Sequence, residues 1–270
     1  MANAEKSTNR YLKLIEEIFF SKYKKGLTEF FFERIDLETA AEKLEIKLPK
    51  NLGDVIYALR YRIQMPESII RTQPKGKEWI IKGAGRARYG FHLVTVNRIL
   101  PNPNLIAIKI PDATPEIISA HALSDEQALL AKVRCNRILD IFLGIATYSL
   151  QNHLRTSVKG IGQVEIDEMY VGVDRHGCQY ILPVQAKGGT DQLSVVQAQQ
   201  DILCCEEKFP ALVCRSISAQ FMADDLIAIF ELAVDGDEIK IVEEKHYRLV
   251  PAFSISEKDL QRYQQQTGSK

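Results

Sequence analysis

Apolar residues near the start of the chain recur at helical spacing. Tyr11, Leu12, Leu14, Ile15, Ile18 and Phe19 share one face, which predicts a helix over residues 9–23. Lys22, Lys24, Lys25 and then Gly26 supply the cations and glycine that end a helix. A short helix follows over 37–44, with Asp36 as its cap, then a turn. A second helix over 52–62 is capped by Asn51 and carries Asp54 in its first turn. Two short strands are expected around Trp79–Ile81 and Phe91–Val94, joined by the Gly-rich basic tip KGAGRARYG. Pro101, Pro103, Pro111 and Pro115 punctuate a linker, residues 99–123, that holds one short strand, LIAIKI. A good helix pattern runs over 124–144, with Ser124 as cap and Asp125 and Glu126 in its first turn, and a second helix is expected over 146–158.

The pattern then changes period. Residues 162–173 (GQVEIDEMYVGV) and 179–187 (QYILPVQAK) read as two apolar strands joined by the turn Asp174-Arg175-His176-Gly177. A helix begins near Asp191, a third strand covers 211–221, and a helix is expected over 224–232. Two strands at 237–244 and 246–253 precede a capped terminal helix over 256–266. The expected fold class is α+β to α/β. An N-terminal helical module occupies residues 1–98, and a mixed-sheet core flanked by helices occupies residues 124–270.

Composition narrows the class. An apolar content of 46% allows one large core or two smaller ones, and no run approaches the roughly 18 to 20 apolar residues of a membrane span. The first residues lack an apolar stretch behind a basic start, so no secretory signal is expected. Five scattered cysteines, two of them adjacent at Cys204 and Cys205, lack zinc-type spacing and fit reduced thiols of a cytoplasmic protein.

Charge is balanced overall but not along the chain. Residues 1–98 hold 19 Lys and Arg against 12 Asp and Glu, while residues 99–270 hold 16 against 23. Residues 60–98 alone carry nine basic and two acidic side chains, the kind of footprint a polyanion contact leaves. Short helix, turn, longer helix and basic-tipped hairpin together resemble a winged helix-turn-helix. The resemblance implies that the second helix meets the major groove of double-stranded DNA with Asn51, Arg60 and Arg62. Arg86 and Arg88 would lie on the wing.

The ribbon at 162–187 carries the candidate chemistry. Alternate residues of a strand share a face, so Glu165, Asp167 and Met169 lie together, and Val164, Ile166, Glu168 and Tyr170 lie opposite. On the second strand Gln185 and Lys187 share a face. The start of one antiparallel strand neighbours the end of the next, so these carboxylates, the amide and the ammonium meet at one end of the ribbon. Hard cations such as Mg²⁺ take carboxylate, carbonyl and water oxygens, and phosphodiester hydrolysis needs an activated water and neutralised charge. The run His153 to Thr156, just ahead of the ribbon, reads either as a phosphate contact or as a plain polar helix end.

A carboxylate on one strand and Asp/Glu-x-Lys on the next, flanked by helices, resembles the PD-(D/E)XK nuclease superfamily, which includes type II restriction endonucleases. On that resemblance Asp167 matches the first metal carboxylate, and Gln185-Ala186-Lys187 matches the Asp/Glu-x-Lys element. Ile166-Asp167 stands where Pro-Asp is usual, and Gln185 stands where an acid is usual. Glu165 or Glu168 would supply the second acid, with Glu126 as a further candidate on the preceding helix. The resemblance implies a Mg²⁺-dependent endodeoxyribonuclease with Asp167, Gln185 and Glu165 as metal ligands. Lys187 would assist the attacking water, and a two-fold homodimer would act on a two-fold DNA site. A winged-helix regulator with an α/β sensor domain and no catalysis is the alternative.

Overall fold

A computed structural model describes residues 2–49, 52, 55–56, 65–85, 87–95, 99–121, 126–188, 193–222, 226–235 and 238–267. The chain divides into two compact units, residues 1–97 with 157–163, and residues 98–156 with 164–270.

In the first unit α1 (Ala2–Lys22) is followed by β1 (Glu29–Glu33), α2 (Arg34–Lys43), α3 (Glu67–Ile70), β2 (Lys77–Gly83) and β3 (Arg88–Thr95). The strands form an antiparallel sheet in the order β1-β3-β2. The apolar stripe of α1 is buried as its spacing predicts, with Leu14, Ile15, Ile18 and Phe19 packed against Phe30, Phe32, Trp79, Ile81 and Phe91. Phe19 meets Phe30, Trp79 and Phe91 edge-on at centroid distances of 5.2, 5.4 and 5.0 Å. Such pairs add about 0.5–1.5 kcal/mol each beyond the area they bury. EFFFE, for which the sequence pattern predicts no element, forms β1, with Phe30 and Phe32 turned inward. One expectation changes here. Helix α2 begins at Arg34, so Asp36 is its third residue and not its cap; it reaches back to accept from the Glu33 amide at 2.7 Å. Asn51, Asp54, Arg60, Arg62 and Arg86 lie outside the described residues.

The second unit contains β4 (Ile108–Pro111), α4 (Glu116–His121), α5 (Glu126–Cys135), α6 (Ile138–Leu143), most of β5 (Ala146–Val158) and of β6 (Gly162–Val173), whose adjoining ends at 157–163 belong to the first, and β7 (Gln179–Lys187). It continues with α7 (Val195–Lys208), β8 (Val213–Cys214), β9 (Ser216–Phe221), β10 (Leu226–Asp235), β11 (Glu238–Val250) and α8 (Glu257–Thr267). One mixed sheet runs β4-β11-β10-β9-β7-β6-β5, with β8 also paired to β7. Strands β6 and β7 are antiparallel, β7 and β9 are parallel, and α7 makes the crossover between them. Both faces of its central strands are covered. Leu182, Val184, Ala186, Ile227 and Ile229 pack on Leu129, Leu130 and Val133 of α5, while Ala228, Phe230 and Leu232 pack with Ala198 of α7. Among the described residues no helix is long and apolar enough to cross a membrane.

The single helix expected over 124–144 is broken. Asn136 folds its amide onto the Lys132 carbonyl, and Arg137 takes a left-handed conformation (φ 49°) before α6 starts. Ser124 and Asp125 lie outside the described residues. Residues 146–158 form a strand and not a helix. Gly144, at φ 67°, ends α6, and Asp140 then accepts from the Thr147 amide at 2.9 Å, turning the chain into β5. Residues 224–232 are likewise not a helix. Ile227, Ala228, Ile229 and Phe230 are fully buried on β10, where a central strand is apolar on both faces. The two strands expected at 237–253 are one, β11, and a register shift at Glu231–Leu232 of β10 accommodates it.

Candidate active site

The ladder between β6 and β7 runs from Val173↔Gln179 at the turn to Glu168↔Val184. One step further along, the Asp167 side chain takes over: its Oδ2 accepts from the Ala186 amide at 2.9 Å. That bond fixes the carboxylate at the mouth of the ribbon, beside the strand carrying Gln185 and Lys187. Gln185 is buried, and its Nε2 donates to the Glu165 carbonyl and to Oδ2 of Asp201, both at 3.0 Å. The Lys187 side chain is nine-tenths buried, and its Nζ reaches Glu126 Oε1 at 3.3 Å.

Asp167, Gln185 and Lys187 therefore gather at one end of the ribbon, and Glu126, at the start of α5, joins them through Lys187. Glu165 shares the Asp167 face, but its carboxylate is taken by His153 Nε2 at 3.0 Å and Arg155 Nη2 at 3.1 Å. His153 and Arg155 thus serve the ribbon from the neighbouring strand β5. Glu168 lies on the opposite face, fully buried. Arg134 grips it through Nε at 3.0 Å and Nη2 at 3.1 Å, and the Ser149 hydroxyl donates to it as well. It takes no part in the Asp167 cluster. The Arg134 guanidinium is held above its usual range, first by this hydrogen bond.

Burial pushes the Asp167 carboxyl above the usual aspartate range, against the opposing pull of Lys187 and the Ala186 amide; the charge of Glu165 adds to the rise. Asp201, from α7, is the residue that the sequence reading did not single out. Its carboxyl sits well above the ordinary value because it is wholly buried; the Gln185 N–H opposes this and the Asp167 charge reinforces it. One signal in the sequence pointed to it: Asp201 falls three and four residues from buried Ala198 and Cys205, on the apolar face of its helix.

Of the proposed DNA contacts, Asn51, Arg60, Arg62 and Arg86 lie outside the described residues. Arg88 opens β3 at the surface and stacks its guanidinium over the Phe31 ring at 4.4 Å.

Among the described residues no group of three or more His, Cys, Asp or Glu side chains is placed to hold a metal ion. Apart from Glu126, held by Lys187, and Asp201, held by the Gln185 N–H, the donors at the ribbon mouth are the Asp167 carboxylate and the Gln185 amide. Mg²⁺ commonly binds through one or two carboxylates and keeps several waters, so this hard-oxygen set fits a largely hydrated cation and not a closed protein cage. Compared with models of known protein families, with curated proteins and with solved structures, the chain matches none.

Proposed function

We propose that the chain is a Mg²⁺-dependent endodeoxyribonuclease of the PD-(D/E)XK kind, restriction-like, cutting double-stranded DNA at a recognised site. The observation that carries this is the convergence of Asp167, Gln185 and Lys187 at the mouth of the β6–β7 ribbon, each tied down by a hydrogen bond. The helix α5 before the ribbon and the crossover helix α7 after it agree with the flanking helices that the resemblance implies. Asp167 and Gln185 would hold the cation; when bound, it would neutralise phosphate charge and lower the pKa of a water. Lys187, pointing its ammonium into the same mouth, stabilises negative charge building on the scissile phosphate. Partial burial of these side chains strengthens each of these interactions relative to open solvent.

In the first unit, the β1-β3-β2 sheet behind helices, with Arg88 at the hairpin tip, supports a winged-helix-like module that reads DNA. A homodimer would deliver one site to each strand. A regulator without catalysis is favoured by one observation: Gln185 replaces an acid, and the Glu165 carboxylate is already engaged by His153 and Arg155. Incubation with long mixed-sequence DNA and Mg²⁺, followed by mapping of fragment ends, separates the two. Discrete ends that vanish in EDTA, in Asp167→Ala and in Lys187→Ala, with gel shifts unchanged, are the expected result. Intact DNA with a sequence-specific, salt-dependent gel shift would establish the regulator instead.

A further inference from the structure

We infer that Asp201, on the crossover helix, is a positioning residue that sets which way the Gln185 amide faces. The inference rests on the proposed metal site and deepens it. A side-chain amide has two N–H donors on its nitrogen and acceptor capacity on its oxygen. One atom of the Gln185 amide lies 3.0 Å from the Glu165 carbonyl oxygen, which only accepts, so that atom must be the nitrogen. The same nitrogen lies 3.0 Å from Asp201 Oδ2. Both N–H bonds are thereby directed at acceptors. Rotating the amide by half a turn would set oxygen against oxygen at the Glu165 carbonyl.

The amide carbonyl is consequently turned away from Asp201 and presented as an oxygen donor. Glutamine can then do part of the work of the carboxylate it replaces: it offers the cation an oxygen of fixed direction, without the formal charge. Asp201 can hold this orientation because its own position is rigid. It is 1% exposed, and Ala198 and Cys205 on the same face of α7 are fully buried. The Ser194 hydroxyl caps the helix by accepting from the Val196 amide at 3.1 Å. A partner that orients a metal ligand is commonly worth ten- to a hundredfold in metal affinity.

The test uses the full chain. Mn²⁺ binding is followed by electron paramagnetic resonance, and the Mg²⁺ dependence of cleavage is measured for wild type, Asp201→Ala and Asp201→Asn. Asp201→Ala should raise the half-saturating metal concentration about tenfold, with the cleavage rate recovered at high Mg²⁺. Asp201→Asn, which keeps an acceptor, should restore wild-type metal dependence. A folded Asp201→Ala with an unchanged half-saturation point overturns the positioning role and leaves the proposed function standing. A wild-type protein that neither binds Mn²⁺ nor cuts DNA overturns both. Should Asp201→Ala not fold, the Gln185 side-chain amide protons of the wild type decide the matter. Slow exchange and a nitrogen shift altered by Asp201→Asn support the assignment; solvent-rate exchange refutes it.

Discussion

The two ends of the β6–β7 ribbon use the same residue types in opposite ways. At the turn, Asp174 accepts from the amides of His176 at 2.8 Å and Cys178 at 2.9 Å, and from the Tyr180 hydroxyl at 3.1 Å. Its partners lie two, four and six residues away. Gly177, at φ 82°, completes a turn that closes on itself. At the mouth, the partners of Asp167, Gln185 and Lys187 lie 16 to 61 residues away, on other strands and on two helices. The turn is local chemistry that the chain forms wherever it goes. The mouth exists only when the sheet and both helices are in place, and burial there works against the charge that the turn welcomes.

The strongest way to break this contrast is through activity. Lys187→Ala and Asp167→Ala should each lower DNA cleavage by about a thousandfold, the scale seen when a charge-stabilising group is removed from a buried site. Asp174→Ala should leave the rate essentially unchanged. Cleavage assays on the three variants check this, and an Asp174→Ala loss as deep as the others would end the functional distinction between the two ends.

A second contrast lies across the strand, between Asp167 and its neighbour Glu168 on the opposite face. Glu168 is fully buried on the other face and gripped by Arg134, whose side chain is 40% exposed. Arg134→Ala leaves that carboxylate buried without its cation. Breaking a fully buried pair costs about 3–5 kcal/mol, and the partial exposure of Arg134 brings the expectation down to about 2 kcal/mol. Urea unfolding reads it as a lower midpoint. Replacing Arg134 and Glu168 together by apolar residues should recover most of the loss, and a double variant as unstable as the single one would show that the ion pair is not the cause.

The ribbon was legible because a period of two and a turn with Asp and Gly are both local signals. Parity alone placed Glu165 beside Asp167 and set Glu168 opposite. The misread elements failed for physical reasons. Ile227 to Phe230 form an unbroken apolar run, which a buried strand and a buried helix share, and only the pairing of β10 with β9 and β11 decides between them. Residues 146–158 are mostly exposed, so neither period stands out, and the chain's direction there is set by Gly144 and Asp140 just before it. Asp201 stood visibly on an apolar helix face. Its partner Gln185 lies 16 residues back on a different element, and a one-dimensional pattern carries no such distance.

A smaller effect is expected where polar chemistry is again local. The Ser256 hydroxyl accepts from the Asp259 amide at 3.2 Å, and Asp259 Oδ2 accepts from the Ser256 amide at 3.1 Å, a reciprocal cap at the start of α8. Ser256→Ala should cost about 1 kcal/mol in thermal or urea unfolding and leave cleavage untouched. No measurable loss would mean that the start of this helix is held by other contacts, such as Lys109 on Asp259 at 3.0 Å.

The finest test of the two ends is a difference in slope. At Asp174 burial raises the carboxyl, but the His176 and Cys178 amides and the Tyr180 hydroxyl outweigh it, so its pKa lies below the ordinary 3.8. Folding then favours the ionised form. The stability it adds is present above pH 3.8 and is lost as pH falls through the folded value. At Asp167 burial wins over Lys187 and the Ala186 amide, and the pKa lies above 3.8. Folding favours the protonated form, so its contribution is complete below pH 3.8 and is lost as pH rises through the folded value. Asp174→Asn should therefore be less stable than wild type at neutral pH, with the gap closing in acid. Asp167→Asn should gain on wild type as pH rises above 3.8. Urea midpoints between about pH 3 and pH 8, taken in EDTA so that no cation rescues the Asp167 carboxylate, should show the two difference curves diverging. Parallel curves would mean that the ribbon's mouth is as accommodating to charge as its turn, and the burial that makes Asp167 distinctive would have no energetic consequence.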